Sequence, residues 1–338
     1  METRLFVIAE AGVNHCGSVK LAKDMIRVAR ESGADAIKFQ AFRAEELAHP
    51  QAPTAAYQSR GGGQEKSQFE MLKDLELNRS AFSELIEESE RQGIEFMSTP
   101  FSESCAQMLE DLGVHRFKIG SGEITNPRLI RCVASLGKPV ILSTGMSTLD
   151  EVRRAVGWIR EREAPPPLSL LHCVSAYPAE PRDMNLRCIP TLASEFQVPV
   201  GLSDHTLGFD VALAAVALGA TIVEKHFTLD RNAPGPDHQA SLEPSELNSF
   251  IHALRGVEAG LGDGVKRPVE SERDTLRVAR RSIVAACDLA AGTVLADAHL
   301  KFLRPGTGIS PADIDRCIGR RLQVDLPAGD QLAWSMIQ

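Results

Sequence analysis

Short apolar runs alternate with segments of helical period through residue 261 of the 338-residue chain. Eight runs, at 5–9, 36–39, 95–98, 116–119, 140–142, 168–171, 198–202 and 221–224, read as buried strands. Between them the period lengthens. Leu21, Met25, Ile26 and Ala29 share one face of a helix over 19–32 that Gly33 ends, and another helix covers 81–91. Thr148-Leu149-Asp150-Glu151 is a capping box opening the helix after the fifth strand. Strand–helix alternation predicts an α/β fold with a parallel sheet, and eight short strands favour a (β/α)8 TIM barrel. No GxGxxG turn follows the first strand, which argues against a dinucleotide-binding sheet.

The pattern changes after Leu261. Gly262-Asp263-Gly264 and the charged stretch that follows predict an exposed linker over 263–280, after a barrel domain of residues 1–262. Beyond it, Asp288-Leu289-Ala290-Ala291-Gly292-Thr293-Val294-Leu295 is echoed by Asp325-Leu326-Pro327-Ala328-Gly329-Asp330-Gln331-Leu332. Each copy sets a tight turn between short β-prone segments. Residues 281–338 therefore read as a small, mostly β module, suited to binding or lid duty.

Composition narrows the function classes. A net charge of −8 and a pI near 5.7 argue against a nucleic-acid or anionic-membrane partner. No apolar stretch approaches the roughly 20 residues of a membrane span, and no signal peptide is apparent, so a cytoplasmic protein is expected. Seven cysteines without CxxC spacing read as reduced thiols. Cys132, Cys188 and Cys317 are expected to be packing residues, and Cys16 and Cys173, near strand ends, are candidate nucleophiles. His115, His172 and His252 are expected to be hydrogen-bonded core residues.

In a barrel, side chains at the C-terminal ends of strands face the pocket. Those positions carry two chemistries. Thr99, Ser121, Ser143 and Ser203 are small hydroxyls near the cations Lys38 and Lys118, a set suited to a phosphate or phosphorylated carboxylate. Glu10, Glu123, Glu224, Asp204 and Asp237 are acidic, as sugar-hydroxyl recognition and proton transfer require. His205 and His226 end successive strands and together could hold one divalent ion. An interior Lys such as Lys38 needs a charged partner. An anion half and a polyol half imply two substrates.

Ile8-Ala9-Glu10-Ala11-Gly12-Val13-Asn14-His15, Lys38-Phe39-Gln40, Ser98-Thr99-Pro100-Phe101 and Lys118-Ile119-Gly120-Ser121-Gly122-Glu123 closely resemble the sialic acid synthase family. So do Leu142-Ser143-Thr144-Gly145-Met146, Leu202-Ser203-Asp204-His205-Thr206, Glu224-Lys225-His226-Phe227 and Pro234-Gly235-Pro236-Asp237-His238. The tail around Arg304-Pro305-Gly306-Thr307-Gly308 resembles the antifreeze-like (SAF, β-clip) domain of these synthases. The resemblance implies a transferase that condenses phosphoenolpyruvate with N-acetylmannosamine to give N-acetylneuraminate and phosphate. It also implies a domain-swapped homodimer. By motif match, His205 and His226 would bind Mn²⁺, with Mg²⁺ or Co²⁺ as alternatives. Lys38, Thr99, Lys118, Ser121, Ser143, Ser175 and Ser203 would hold phosphoenolpyruvate. Glu10, Gln40, Glu123, Tyr177 and Asp237, with Arg304 from the partner subunit, would contact the amino sugar. Some relatives have Asn where Ser175 stands. Glu10, Lys38, Glu123 and Glu224 are the expected catalytic residues, with Glu10 the first choice to activate water.

The nearest alternative is a synthase of legionaminic or pseudaminic acid, acting on a 2,4-diacetamido-trideoxy hexose. The choice of acceptor should lie in the 43–66 loop, with Tyr57, Gln58 and residues 64–68 as candidate contacts. A different class altogether is a non-catalytic carbohydrate-binding protein.

Overall fold

The computed structural model describes residues 4–52 and 67–338. The chain divides into two compact units, Met1–Gly262 and Asp263–Gln338.

In the first unit, eight parallel strands run β1 (Phe6–Gly12), β2 (Ala36–Ala41), β3 (Glu95–Pro100), β4 (Phe117–Ile119), β5 (Val140–Ser143), β6 (Leu168–Cys173), β7 (Val200–Asp204) and β8 (Ile222–His226). Their order is β3-β2-β1-β8-β7-β6-β5-β4, and the two end strands lie against each other, leaving a nearly closed TIM-like barrel. Helices follow the strands, and their apolar faces seal the outside. Leu129, Ile130 and Val133 of the helix Pro127–Ser135 are buried, as are Val152, Val156 and Ile159 of Leu149–Arg160, whose capping box at Thr148 and Glu151 is present.

The period of two along each strand sorts residues to the two faces of the wall. Outward positions such as Val7, Ala9, Phe39, Phe117, Leu142, Leu202 and Val223 form the core between strands and helices. Inward, Ile8, Ala36, Met97, Ile141, Leu171 and Ile222 form an apolar floor. Gly201 occupies the matching position of β7. A Cβ there would lie 2.2 Å from the carbonyl oxygen of Ile222, so only glycine permits this approach of β7 to β8.

The second unit begins with exposed residues that include the short helix Arg273–Ala279 within the stretch read as linker. Beyond it, β9 (Ser282–Ala285) pairs antiparallel with β10 (Leu300–Leu303). The repeated motif explains much of the remainder. Leu289 bridges Leu326, Ala291 N–H donates to the Asp325 carboxylate at 2.7 Å, and Ala328 N–H donates to Asp288 at 2.8 Å. Each copy's aspartate thus caps the other's turn, and Leu289, Leu295, Leu326 and Leu332 fill the small core. No helix among the described residues is long and apolar enough to cross a membrane.

Candidate active site

Two residues beyond the apolar floor, each strand places one side chain in a second inward layer: Glu10, Lys38, Thr99, Lys118, Ser143, Cys173, Ser203 and Glu224. Two residues further on stand Gln40, Phe101, Gly120, Ser175, His205 and His226. Together these layers bound a cavity of about 610 Å³ at the C-terminal ends of the strands. Ser121, Glu123, Tyr177 and Asp237 reach the same cavity from loops. The fifteen barrel residues expected to hold substrates, metal or the reacting groups therefore line one space, whereas Asp204 and Cys16 do not line it. Arg304 belongs to the second unit, where it is exposed just after β10. Tyr57 and Gln58 lie outside the described residues, and Gln68 lines the cavity.

The second layer is an ion cluster. The Lys38 ammonium lies 2.7 Å from Glu10 and 3.7 Å from Glu224, and donates to Thr99 Oγ1 at 3.1 Å. Lys118 lies 3.4 Å from Glu224, which also accepts from Ser203 at 2.9 Å. All six are almost completely buried. Burial lifts Glu10 to about 7 against the pull of Lys38, with the Glu224 charge adding to the rise. Glu224 faces the same burial, but Lys118, Lys38 and the Ser203 hydrogen bond bring it down to about 2. Burial, and then Lys38, lower Lys118 despite Glu224. Ser143 Oγ is buried beside this cluster without a hydrogen-bond partner, a donor left for a ligand.

The imidazoles stand one layer above, their ring centroids 5.5 Å apart. Tyr177 packs on His205 at 4.2 Å. His205 Nδ1 lies 2.7 Å from the carbonyl of Val174, which can only accept, so Nδ1 carries a proton; against burial, the Cys173 thiol and this carbonyl raise His205 above its ordinary value. Burial and the neighbouring His205 hold His226 well below its ordinary value, and its Nδ1 is buried without a partner. Around Gly12, at φ +53°, a Cβ would touch Asp237, His226 and Gln40 at 3.4 to 3.5 Å, so these three side chains converge there. Burial raises Asp237 to about 6. Among the described residues no group of three or more His, Cys, Asp or Glu is arranged to hold a metal. Two imidazole side chains at this spacing still fit an ion that keeps positions open for substrate oxygens.

Several expectations change. Asp204 and Lys225 alternate with the lining residues and so face outward. They form a buried ion pair at 2.7 Å, with Asp204 also accepting from Thr206 and Lys225 donating to the Thr206 carbonyl. Asp204 is thus no part of the acidic half. His172 is buried against the Met184 carbonyl, but His115 and His252 are exposed, His252 on the outer face of the helix Pro244–Leu261. Glu123 is held at the mouth by Asn126 at 2.8 Å, outside the ion cluster. An apolar wall of Val13, Leu47, Met71, Leu72, Leu75 and Phe101 gave no signal in the sequence, because Leu47, Met71, Leu72 and Leu75 come from helices outside the βα pattern.

A family model described as the NeuB family matches residues 25–266, and an SAF-domain model matches residues 280–338. The chain belongs to the NeuB family. N,N'-diacetyllegionaminic acid synthase of Legionella pneumophila is 46% identical over 336 residues, covering 98% of this chain and 94% of that protein. Human N-acetylneuraminate-9-phosphate synthase is 34% identical, covering 98% and 92%. A crystal structure of N-acetylneuraminic acid synthetase from Leptospira borgpetersenii, in complex with citrate, superposes with a TM-score of 0.72 at 38% identity, covering 81% of this chain and 90% of that one. This NeuB-family member thus shares its fold and most of its length with synthases of nonulosonic acids.

Proposed function

We propose that this protein condenses phosphoenolpyruvate with the open-chain form of an N-acetylated amino sugar, giving a nine-carbon 2-keto acid and phosphate. One observation carries the reading. Two buried ammonium groups and an unpartnered Ser143 hydroxyl share a ring with two carboxylates of opposed proton affinity, directly below an imidazole pair.

The anion half would hold phosphoenolpyruvate through Lys38, Lys118, Thr99, Ser121, Ser143, Ser175 and Ser203, presenting its enol carbon upward at short range. After the carbon–carbon bond forms, water adds at the carbon bearing phosphate, and Glu10, near neutrality in proton affinity, accepts the water's proton. Glu224, permanently ionised, keeps both lysines charged for the departing phosphate. Gln40, Glu123, Tyr177 and Asp237 would orient the sugar. His205 and His226 would hold a divalent ion, Mn²⁺ by preference, which when bound polarises a carbonyl oxygen.

For the acceptor, the apolar wall favours the 2,4-diacetamido-trideoxy hexose over N-acetylmannosamine. Two acetyl methyls and a C6 methyl would bury against Leu47, Met71, Leu72 and Leu75, whereas a C6 hydroxyl would lose water there. The 46% identity to a legionaminic acid synthase supports the same choice. A panel of acceptors assayed for phosphate release tests this. The diacetamido sugar should give the highest kcat/KM, and preference for N-acetylmannosamine would reverse the assignment. Sugar binding without phosphate release from any acceptor would make the protein a carbohydrate binder.

A further inference from the structure

Beside the cavity, the segments that follow β1 and β8 bring a thiol and an imidazole together. Cys16 Sγ lies 3.3 Å from His238 Nε2, and Nδ1 of the same ring lies 2.7 Å from Thr228 Oγ1. The Thr228 hydroxyl links the ring to the backbone. Thr228 spends its single hydroxyl proton on the carbonyl of Asp230 at 3.1 Å and accepts from the Asp230 N–H at 3.2 Å. With that proton on the Asp230 carbonyl, Thr228 accepts from Nδ1–H of His238 at 2.7 Å, the tautomer that turns the Nε2 lone pair to the thiol. Burial keeps His238 neutral and pushes the Cys16 thiol up, so the resting thiol is protonated, within reach of both His238 Nε2 at 3.3 Å and the Pro234 carbonyl at 3.4 Å. Cys16 is nevertheless exposed.

We propose that Cys16 is a modification site that takes low-molecular-weight disulfides, with His238 as its base and Thr228 holding the base in the required tautomer. As Sγ attacks, its proton passes to Nε2. A bond forms between Sγ and one sulfur of the disulfide, the disulfide's own S–S bond breaks, and the departing thiolate takes the proton back from His238. One thiol leaves for each mixed disulfide formed.

The adduct has a route to the cavity. The Pro234 carbonyl lies 3.4 Å from Sγ, and a Cβ on Gly235 would stand 2.7 Å from His238 and 4.0 Å from Sγ. Pro236 and Asp237, next in the chain, line the cavity. Bulk on Sγ stands against the segment that presents Asp237, and displacement of that segment weakens acceptor binding. This coupling rests on the acceptor reading given above; the reactivity does not.

The test treats the full-length protein with oxidised glutathione and follows each cysteine by intact mass and peptide mapping. Cys287, also exposed, is the internal reference. Cys16 should react at least about tenfold faster than Cys287, and His238→Gln and Thr228→Val should each remove most of that advantage. Melting curves show that each variant is folded. Equal rates at Cys16 and Cys287, or a Cys16 rate unchanged in both folded variants, would overturn the site. In the modified protein KM for the acceptor should rise while KM for phosphoenolpyruvate holds, with reductant reversing the rise and Cys16→Ser immune. An unchanged acceptor KM would overturn the coupling alone, whereas no turnover before modification would count against the synthase reading alone.

Discussion

Glu10 and Glu224 flank one ammonium, 2.7 and 3.7 Å from Lys38 Nζ, yet their proton affinities are driven apart, to about 7 and about 2. Each lies in the second inward layer, on adjacent strands β1 and β8. The difference arises from the second cation and the Ser203 hydroxyl: both Lys118 and Ser203 reach Glu224, whereas Lys38 is the one cation close to Glu10 among the described residues. Two carboxylates so separated can take different tasks in one reaction, one exchanging a proton and one staying charged.

If Glu10 is the base, kcat/KM should rise with pH through about 7 and fall about tenfold per unit below it. Glu10→Gln should lower turnover by about 10²- to 10⁴-fold, flatten that limb, and leave phosphoenolpyruvate binding intact. A stability readout goes with it. A carboxyl raised from 4.5 to about 7 on folding contributes stability that is complete below 4.5 and lost as pH rises through about 7. The variant should therefore lose less stability across that window than the parent. Rate profiles of parent and variant that overlay would assign the limb to another group.

The balance of charge around Lys38 makes a second expectation. A phosphate dianion entering beside Glu10 disfavours its ionised form, so binding near pH 7 should take up protons. Calorimetric titration with sulfate, a dianion throughout this range that brings no proton of its own, in buffers of different ionisation enthalpy measures this uptake. It should fall sharply in Glu10→Gln, and Lys118→Met should weaken sulfate binding by about tenfold or more. Proton release on binding would contradict the arrangement.

For the imidazole pair, His226→Ala should reduce Mn²⁺ affinity by about 10- to 100-fold or more, read by electron paramagnetic resonance titration without substrate. The ligand-free melting temperature should change little, because His226 Nδ1 makes no hydrogen bond. Undiminished Mn²⁺ binding would refute the assignment.

Behind the barrel wall, the Asp204–Lys225 pair fixes the backbone on which His205 stands, through both Thr206 hydrogen bonds and its carbonyl. Asp204→Ala strands a buried ammonium and should cost about 3–5 kcal/mol of stability. A double variant with Leu at 204 and Met at 225 should regain much of that stability, by thermal unfolding, without regaining Mn²⁺ affinity. Recovery of both would show that the pair acts on stability only.

Much of this site was legible from the sequence. Glu10, Lys38, Ser143, Ser203, Glu224, His205 and His226 all end apolar runs, and a run's end in a parallel barrel is a mouth position whichever residues precede it. What failed was facing. Asp204 sits between two lining residues, and adjacency in sequence made it look like their companion, whereas the pleat sends it to the other side of the wall. The apolar wall was invisible for another reason: Leu47, Met71 and Leu75 acquire their role only when the helices Ala44–Leu47 and Gln68–Leu75 pack together beside the strand ends. Cys16 and His238 stand 222 residues apart, and no local pattern links them.

The most direct test follows one oxygen atom. Phosphoenolpyruvate carrying ¹⁸O at the bridging position is incubated with the protein, Mn²⁺ and the diacetamido acceptor, and the released phosphate is weighed by mass spectrometry. Attack of Glu10-activated water at the enol phosphate's own carbon predicts labelled phosphate, released only when acceptor is present. Unlabelled phosphate, or labelled phosphate released equally without acceptor, would contradict the account.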